Sequence, residues 1–213
     1  MSQLLARWNA DGGLTLSVTG MPPLDVSLPG GDAALRGAFI WSDSLYVPDA
    51  GDEAADWLSR FIGKACRLVH VPAERARFIQ GNLSVEEKVG FADGFPVLLI
   101  GQASLDDLSA RVGRSLEMLR FRPNLVIDGS APYAEDSWRR IRIGGVEFRV
   151  AKGCTRCILT TIDPQTGERS ADREPLTTLK TYREREGEVC FGQNLINQGA
   201  GRLQVGMSVE VLE

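Results

Sequence analysis

Apolar and polar positions alternate with a period of two over Gly13-Leu14-Thr15-Leu16-Ser17-Val18, the pattern of a half-buried strand. A Gly-Met-Pro-Pro turn at 20–23 leads into Leu24-Asp25-Val26-Ser27-Leu28, so this segment predicts a β-hairpin. The period changes after Asp52-Glu53. Ala54, Ala55, Trp57, Leu58, Phe61 and Ile62 share one face of a helix over 53–62 that Gly63 should stop. Cys66-Arg67-Leu68-Val69-His70-Val71 has strand character and hands over to a polar, arginine-bearing stretch from Pro72 to Lys88. A domain boundary is placed near residue 80, giving domains over 1–80 and 81–213.

In the second half, Pro96-Val97-Leu98-Leu99-Ile100 reads as a buried strand, and Ser104 with Asp107 forms a capping box for a helix through Val112. Further strands are expected at 124–128, 140–143, 146–152, 157–162 and 207–212, with one helix near 175–184. Many short strands separated by Gly and Pro turns, with few helices, favour a mainly β (α+β) fold: a barrel with peripheral helices rather than a doubly wound sheet. No internal repeat or low-complexity linker interrupts it.

At 213 residues and 43% hydrophobic, the chain can bury a sizeable core. Its 24 basic and 28 acidic residues give a net charge of −4, which offers no broad basic surface to nucleic acid or anionic lipid. No apolar run approaches the roughly 18–20 residues that span a bilayer, and Met1-Ser2-Gln3-Leu4-Leu5-Ala6-Arg7 lacks a signal segment, so a cytoplasmic protein with no membrane partner is expected. Four cysteines are too few for a disulfide scaffold, so reduced thiols are the expectation.

The densest chemistry lies in Lys152-Gly153-Cys154-Thr155-Arg156-Cys157, which leads into the apolar Ile158-Leu159-Thr160-Thr161-Ile162. A thiolate binds soft or high-valent metals, and a neighbouring guanidinium favours the charged form, which singles out Cys157. The Cys-x-x-Cys spacing alone also fits half a zinc site, a redox pair or two core cysteines. Only Cys66, Cys190 and His70 remain as further soft ligands, none closely paired, which weighs against zinc. Phe121-Arg122-Pro123-Asn124 is a second cluster, whose proline can hold Arg122 and Asn124 on one side of a strand start to bind a phosphate or a pterin edge; a turn arginine paired with a carboxylate is the plainer alternative. Phe191-Gly192-Gln193-Asn194 and Phe91-Ala92-Asp93-Gly94-Phe95-Pro96 could be ordinary loops.

In this order, and joined by Ser104-Leu105-Asp106-Asp107-Leu108, Glu135-Asp136-Ser137-Trp138 and Glu174-Pro175-Leu176-Thr177-Thr178-Leu179-Lys180, these clusters resemble the MOSC domain family. The resemblance is greatest to its branch of bacterial YcbX proteins and mitochondrial amidoxime-reducing components. It implies a MOSC-type β-barrel preceded by a partial N-terminal MOSC β-barrel, and a molybdenum cofactor (Mo-molybdopterin). The family's protein-derived metal ligand falls on Cys157. Thr155 and Arg156 are implied beside the metal and Arg122 and Asn124 on the pterin, with Gly94, Phe95 and Asn194 as further cofactor contacts. Pyridoxal phosphate is not expected. The implied activity is reduction of N-hydroxylated substrates such as amidoximes, hydroxylamines and N-hydroxylated bases, with the metal supplying the redox chemistry. The alternatives are a molybdopterin or sulfur-carrier binding module without turnover, and a structural protein with core cysteines or a degenerate zinc site.

The family's opening Tyr/His-Pro-Val-Lys-Ser strand is not found, as if roughly 60 leading residues of the N-terminal barrel were absent on the usual proportions of such a domain. No ferredoxin-like domain follows Val209-Glu210-Val211-Leu212-Glu213, so a separate electron donor, ferredoxin-like or a flavin reductase, is expected.

Overall fold

The alternation at Leu14–Val18 forms the middle strand of a three-stranded antiparallel sheet made of β1 (Leu5–Trp8), β2 (Leu14–Val18) and β3 (Met21–Val26). These come from a computed structural model that describes residues 3–79 and 87–213; the boundary placed near residue 80 lies outside the described residues. The hairpin turn is tighter than the prolines suggest. Val18 pairs with Met21, leaving only Thr19 and Gly20 between them, and Gly20 takes φ 88°. Pro22 and Pro23 sit inside β3, where an edge strand tolerates a missing N–H, and the Pro22 carbonyl accepts the Trp57 indole N–H at 2.7 Å.

A second hairpin, β4 (Leu35–Ile40) and β5 (Asp43–Pro48), was not legible, because it is exposed along much of its length and carries no clean alternation. Helix α1 (Asp52–Ile62) follows as expected. Its acidic first turn suits the positive end of the helix dipole, and Gly63 ends it in the left-handed region at φ 73°, donating its N–H to the Ser59 carbonyl. Ala54, Trp57 and Leu58 bury against Leu16, Leu24 and Val26 to form the core of this unit, residues 1–94. The strand expected at 66–71 shrinks to one bridge, Asp49 with Val69. The backbone there is committed to Ala50 and Pro48, and Arg67 is drawn onto Asp49 and Asp52 instead of extending a ladder. Short β6 (Arg77–Phe78) and β7 (Lys88–Val89) pair with each other.

The second unit, residues 95–213, is built on one seven-stranded sheet. Strand β8 (Val97–Gly101) runs into helix α2 (Gln102–Val112), and β9 (Leu125–Ile127) returns parallel to β8. Then come β10 (Arg140–Ile143), β11 (Val146–Thr155), helix α3 (Leu176–Arg183), β12 (Glu184–Arg185), β13 (Glu188–Gln198) and β14 (Val209–Val211). The sheet order is β14-β10-β11-β13-β8-β9, with β12 paired to β13. Ile127 of β9 and Val209 of β14, from opposite ends of this order, pack on the same cluster of Leu99, Ile141, Phe148 and Leu195, so the sheet curls on itself like a barrel. On its other face Ile100, Phe121, Leu179 and Phe191 bury against α2 and α3.

Two expectations fail here. Ser104 is no helix cap: α2 begins at Gln102, and the fully buried Ser104 hydroxyl donates to Glu135 Oε1 at 2.7 Å while accepting the Tyr133 N–H at 2.8 Å. The strand at 157–162 is a 3-10 turn over Ile158–Thr161. Thr160 Oγ1 donates back to the Cys157 carbonyl and Thr161 Oγ1 to that of Ile158, so the hydroxyls of this β-branched run stabilise a turn instead of a ladder. Phe191-Gly192-Gln193-Asn194, a segment whose broken apolar pattern also allows an ordinary loop, lies inside β13 at the centre of the sheet.

Candidate functional site

The site grows from the end of β11. Thr155 is the last residue of that strand, and its hydroxyl donates to Glu188 Oε2 at 2.9 Å across the sheet. Arg156 still donates its backbone N–H to the Val189 carbonyl of β13 at 2.7 Å and turns its guanidinium under the Phe121 backbone: Nη2 donates to the Phe121 carbonyl at 2.7 Å, and the guanidinium lies 5.2 Å from the centre of the Phe121 ring. One hydrogen bond therefore ties the Cys-Thr-Arg-Cys segment to the Phe-Arg-Pro-Asn segment 35 positions earlier. The remaining Arg156 amino group, Nη1, donates to Cys154 Sγ at 3.0 Å, so it is Cys154, not Cys157, that the guanidinium engages. Arg156 Nε is buried with no partner.

Cys157 is exposed and opens the 3-10 turn, its carbonyl accepting from both the N–H and the hydroxyl of Thr160. The turn is anchored from below by Arg120, which sequence reasoning missed. Its Nη1 donates to the Ile162 carbonyl at 2.9 Å and its Nη2 to Asp163 Oδ2 at 2.6 Å, with the arginine side chain only 11% exposed. Backbone N–H groups of Thr166 and Gln165 hold the Asp163 carboxyl below its ordinary range, with Arg120 adding to them. The only sequence signal for this pairing was the position of Arg120 two residues before Arg122, too common a spacing to single it out.

Arg122 is exposed and sits in the left-handed region at φ 53°, closing the 3-10 helix Met118–Phe121. Asn124 is partly spent on the fold: its Oδ1 accepts the Leu98 N–H at 2.8 Å while its own N–H donates to the Leu98 carbonyl at 2.9 Å, which fixes the start of β9 on β8. Asn194 pairs in register with that same Leu98 on one side and Lys152 on the other, and the Lys152 ammonium stands 5.9 Å from the centre of the Phe95 ring. Asn124 and Asn194 meet at Leu98, and Arg156 reaches Phe121, the neighbour of Arg122, so the segments that carry the expected site residues come together near the β8–β13–β11 junction of the second unit. Gly94 is the last residue of the first unit. Among the described residues no group of three or more His, Cys, Asp or Glu side chains is placed to hold a metal ion.

Residues 86–210 match the family model of the MOSC domain, and residues 1–65 that of the MOSC N-terminal beta barrel domain. The chain is 40% identical over 177 residues to the mitochondrial amidoxime-reducing component 1 of Mus musculus, covering 77% of this chain and 52% of the relative. Against the mitochondrial amidoxime reducing component 2 of Rattus norvegicus it is 34% identical over 211 residues, 91% of this chain and 62% of the other. Molybdenum cofactor sulfurase of Oryza sativa subsp. japonica is 34% identical over 196 residues, 80% of this chain but 24% of that protein. The chain spans about half the length of the amidoxime-reducing relatives.

Proposed function

The chain belongs to the MOSC domain family, and from that premise we propose that it is a molybdenum-cofactor-binding oxidoreductase domain that reduces N-hydroxylated compounds, with Cys157 as the thiolate on the metal. The observation that carries the reading is the Arg156–Phe121 hydrogen bond, because it joins the two motifs that the family resemblance assigns to metal and pterin. The donor set fits such a group. Cys157 offers an exposed thiol, Arg156 keeps one buried N–H without a partner, and no cluster of protein ligands competes for the metal among the described residues. When bound, the cofactor supplies the two-electron chemistry that takes an oxygen atom from an N–OH group and releases it as water.

The protein's own part is binding and positioning. Cys157 provides the ligand, while the guanidinium of Arg156, its neighbour in the chain, is held between Phe121 and Cys154. Arg122, exposed at a strained backbone position, offers its guanidinium to the pterin, and Asn124, Phe95 and Asn194 line the approach. Thr155 holds the strand end against Glu188, and Gly94 completes the set by resemblance. Electrons come from a separate donor of the ferredoxin or flavin-reductase kind. The cytoplasm, expected from the sequence, is the compartment proposed for it. No helix among the described residues is long and apolar enough to cross a membrane.

Protein produced in a host that makes the cofactor is expected to carry molybdenum and to reduce benzamidoxime with a chemical reductant, and Cys157→Ser to abolish turnover while Cys66→Ser retains it. Stoichiometric molybdenum with no turnover would instead favour the carrier reading, which the sulfurase relative supports. Absence of molybdenum from the wild-type protein would sink both.

A further inference from the structure

On the other face of the same sheet lies a cavity of about 260 Å³ that none of the candidate cofactor residues explains. The register places it there: Gln193 pairs with Leu99, which belongs to the barrel core, whereas the neighbouring Asn194 pairs with Leu98, which packs towards Phe121 and the Cys157 side. Its floor is a finished network. Arg183 grips Asp136 through both amino groups at 2.6 and 2.9 Å, Gln193 Nε2 donates to the same carboxylate at 2.7 Å, and Arg183 Nε donates to the Cys190 carbonyl at 3.1 Å. Asp136 is thereby neutralised, and each of the three nitrogens of Arg183 is engaged by a hydrogen bond.

Two more arginines line the same cavity, Arg139 and Arg185; Lys152 also borders it, but its ammonium turns to the Phe95 ring. None of them forms an ion pair among the described residues. Arg185 is paired in register with Glu188, but that carboxylate accepts from the Thr155 hydroxyl. The backbone of Arg139 is fixed from both sides, its N–H donating to the Glu213 carbonyl and its carbonyl accepting the Val150 N–H, so the guanidinium is presented from a rigid strand entrance. A chain with an excess of acidic residues has therefore collected three arginines and one carboxylate around one small cavity, walled on its apolar side by Trp138 and Val150. Like charges held this close repel, and a bound anion relieves the repulsion. The volume falls just below the roughly 300–1,000 Å³ of sites for drug-sized ligands, which suits a compact ion and not an extended cofactor.

We propose that this cavity is a binding site for a small oxyanion, a phosphate or a short carboxylate-bearing molecule, held by Arg139 and Arg185 over the Arg183–Asp136–Gln193 floor. It uses none of the proposed metal or pterin ligands, and its test reads phosphate protection of Cys190, which needs no molybdenum.

Cys190 lines the cavity and gives a direct readout. Alkylation of the intact chain by iodoacetamide is followed peptide by peptide with inorganic phosphate as the probe, and Cys157 on the same molecule serves as the internal reference. Phosphate is expected to slow Cys190 modification saturably, by roughly tenfold at ten times the half-protecting concentration, with Cys157 unaffected. Sodium chloride at equal ionic strength should give no such protection. In Arg139→Gln/Arg185→Gln, whose side chains are exposed and outside the core, half-protection should need at least about tenfold more phosphate. Phosphate should also raise the melting temperature of the wild type and not that of the double variant. Equal protection by chloride, equal protection in the double variant, or none in either protein overturns the site.

Discussion

Asp49 illustrates how a single buried carboxylate organises a segment that has little regular structure. It accepts from Arg36 Nε at 2.7 Å, from Arg67, and from the Gly51 N–H at 2.8 Å just ahead of α1. The Arg67 hydrogen bond, followed by those of Arg36 and Gly51, outweighs burial and holds its pKa well below the ordinary 3.8. A depressed folded-state pKa means that the stabilisation is complete above the unfolded value near 3.8 and is lost as pH falls through the lower folded value. Asp49→Asn is therefore expected to destabilise the first unit by about 1–3 kcal/mol at neutral pH. Denaturant melts of wild type and variant should converge as the pH is lowered below 3.8; a gap independent of pH would refute the assignment. At this scale the sequence was a partial guide. Cys157, Arg156 and Arg122 stood out by chemistry, but nothing in the order of residues says that Arg156 reaches Cys154 and Phe121, or that Asn124 uses its amide oxygen on Leu98. Such pairings depend on where the backbone goes.

Among elements, those with a clean period were legible and those interrupted by polar or glycine residues were not. Helix α1 and strands β2, β8 and β10 follow their patterns, whereas β13 hides behind Gly192-Gln193-Asn194. The reason is local geometry. Gly192 is buried with φ 79°, and a Cβ there would stand 2.8 Å from the Leu99 carbonyl oxygen and 2.7 Å from Ile100 Cγ1. Gly192→Ala should cost at least about 2 kcal/mol, from left-handed strain and overpacking together, read as a lowered denaturation midpoint. A variant as stable as the wild type would mean that β13 does not approach β8 this closely. The 3-10 turn after Cys157 depends on Arg120, and Arg120→Ala is expected to speed amide exchange over 158–161 by about tenfold or more, the equivalent of one or two lost hydrogen bonds. Unchanged exchange there would remove Arg120 from the account.

Over the whole molecule, composition and strand spacing pointed to a mainly β fold, and the ordered motifs to the family that the models of the MOSC domain and its N-terminal barrel match. What neither pattern nor motif reveals is which motifs converge. The two faces of the second unit's sheet emerge only from the register of β8, β13 and β11, which sets Asn194 and Gln193 on opposite sides. With 28 acidic against 24 basic residues the surface as a whole does not favour polyanions, so the chain should not be retained on heparin at physiological ionic strength; retention would reveal a basic surface that this charge balance does not provide. The central claim, that the sulfur of Cys157 is bound to molybdenum, is tested most directly by X-ray absorption at the molybdenum edge of the loaded protein. Cys157→Ser should show one sulfur neighbour fewer than the wild type, with Cys66→Ser unchanged. An identical sulfur count in Cys157→Ser and wild type would contradict the claim.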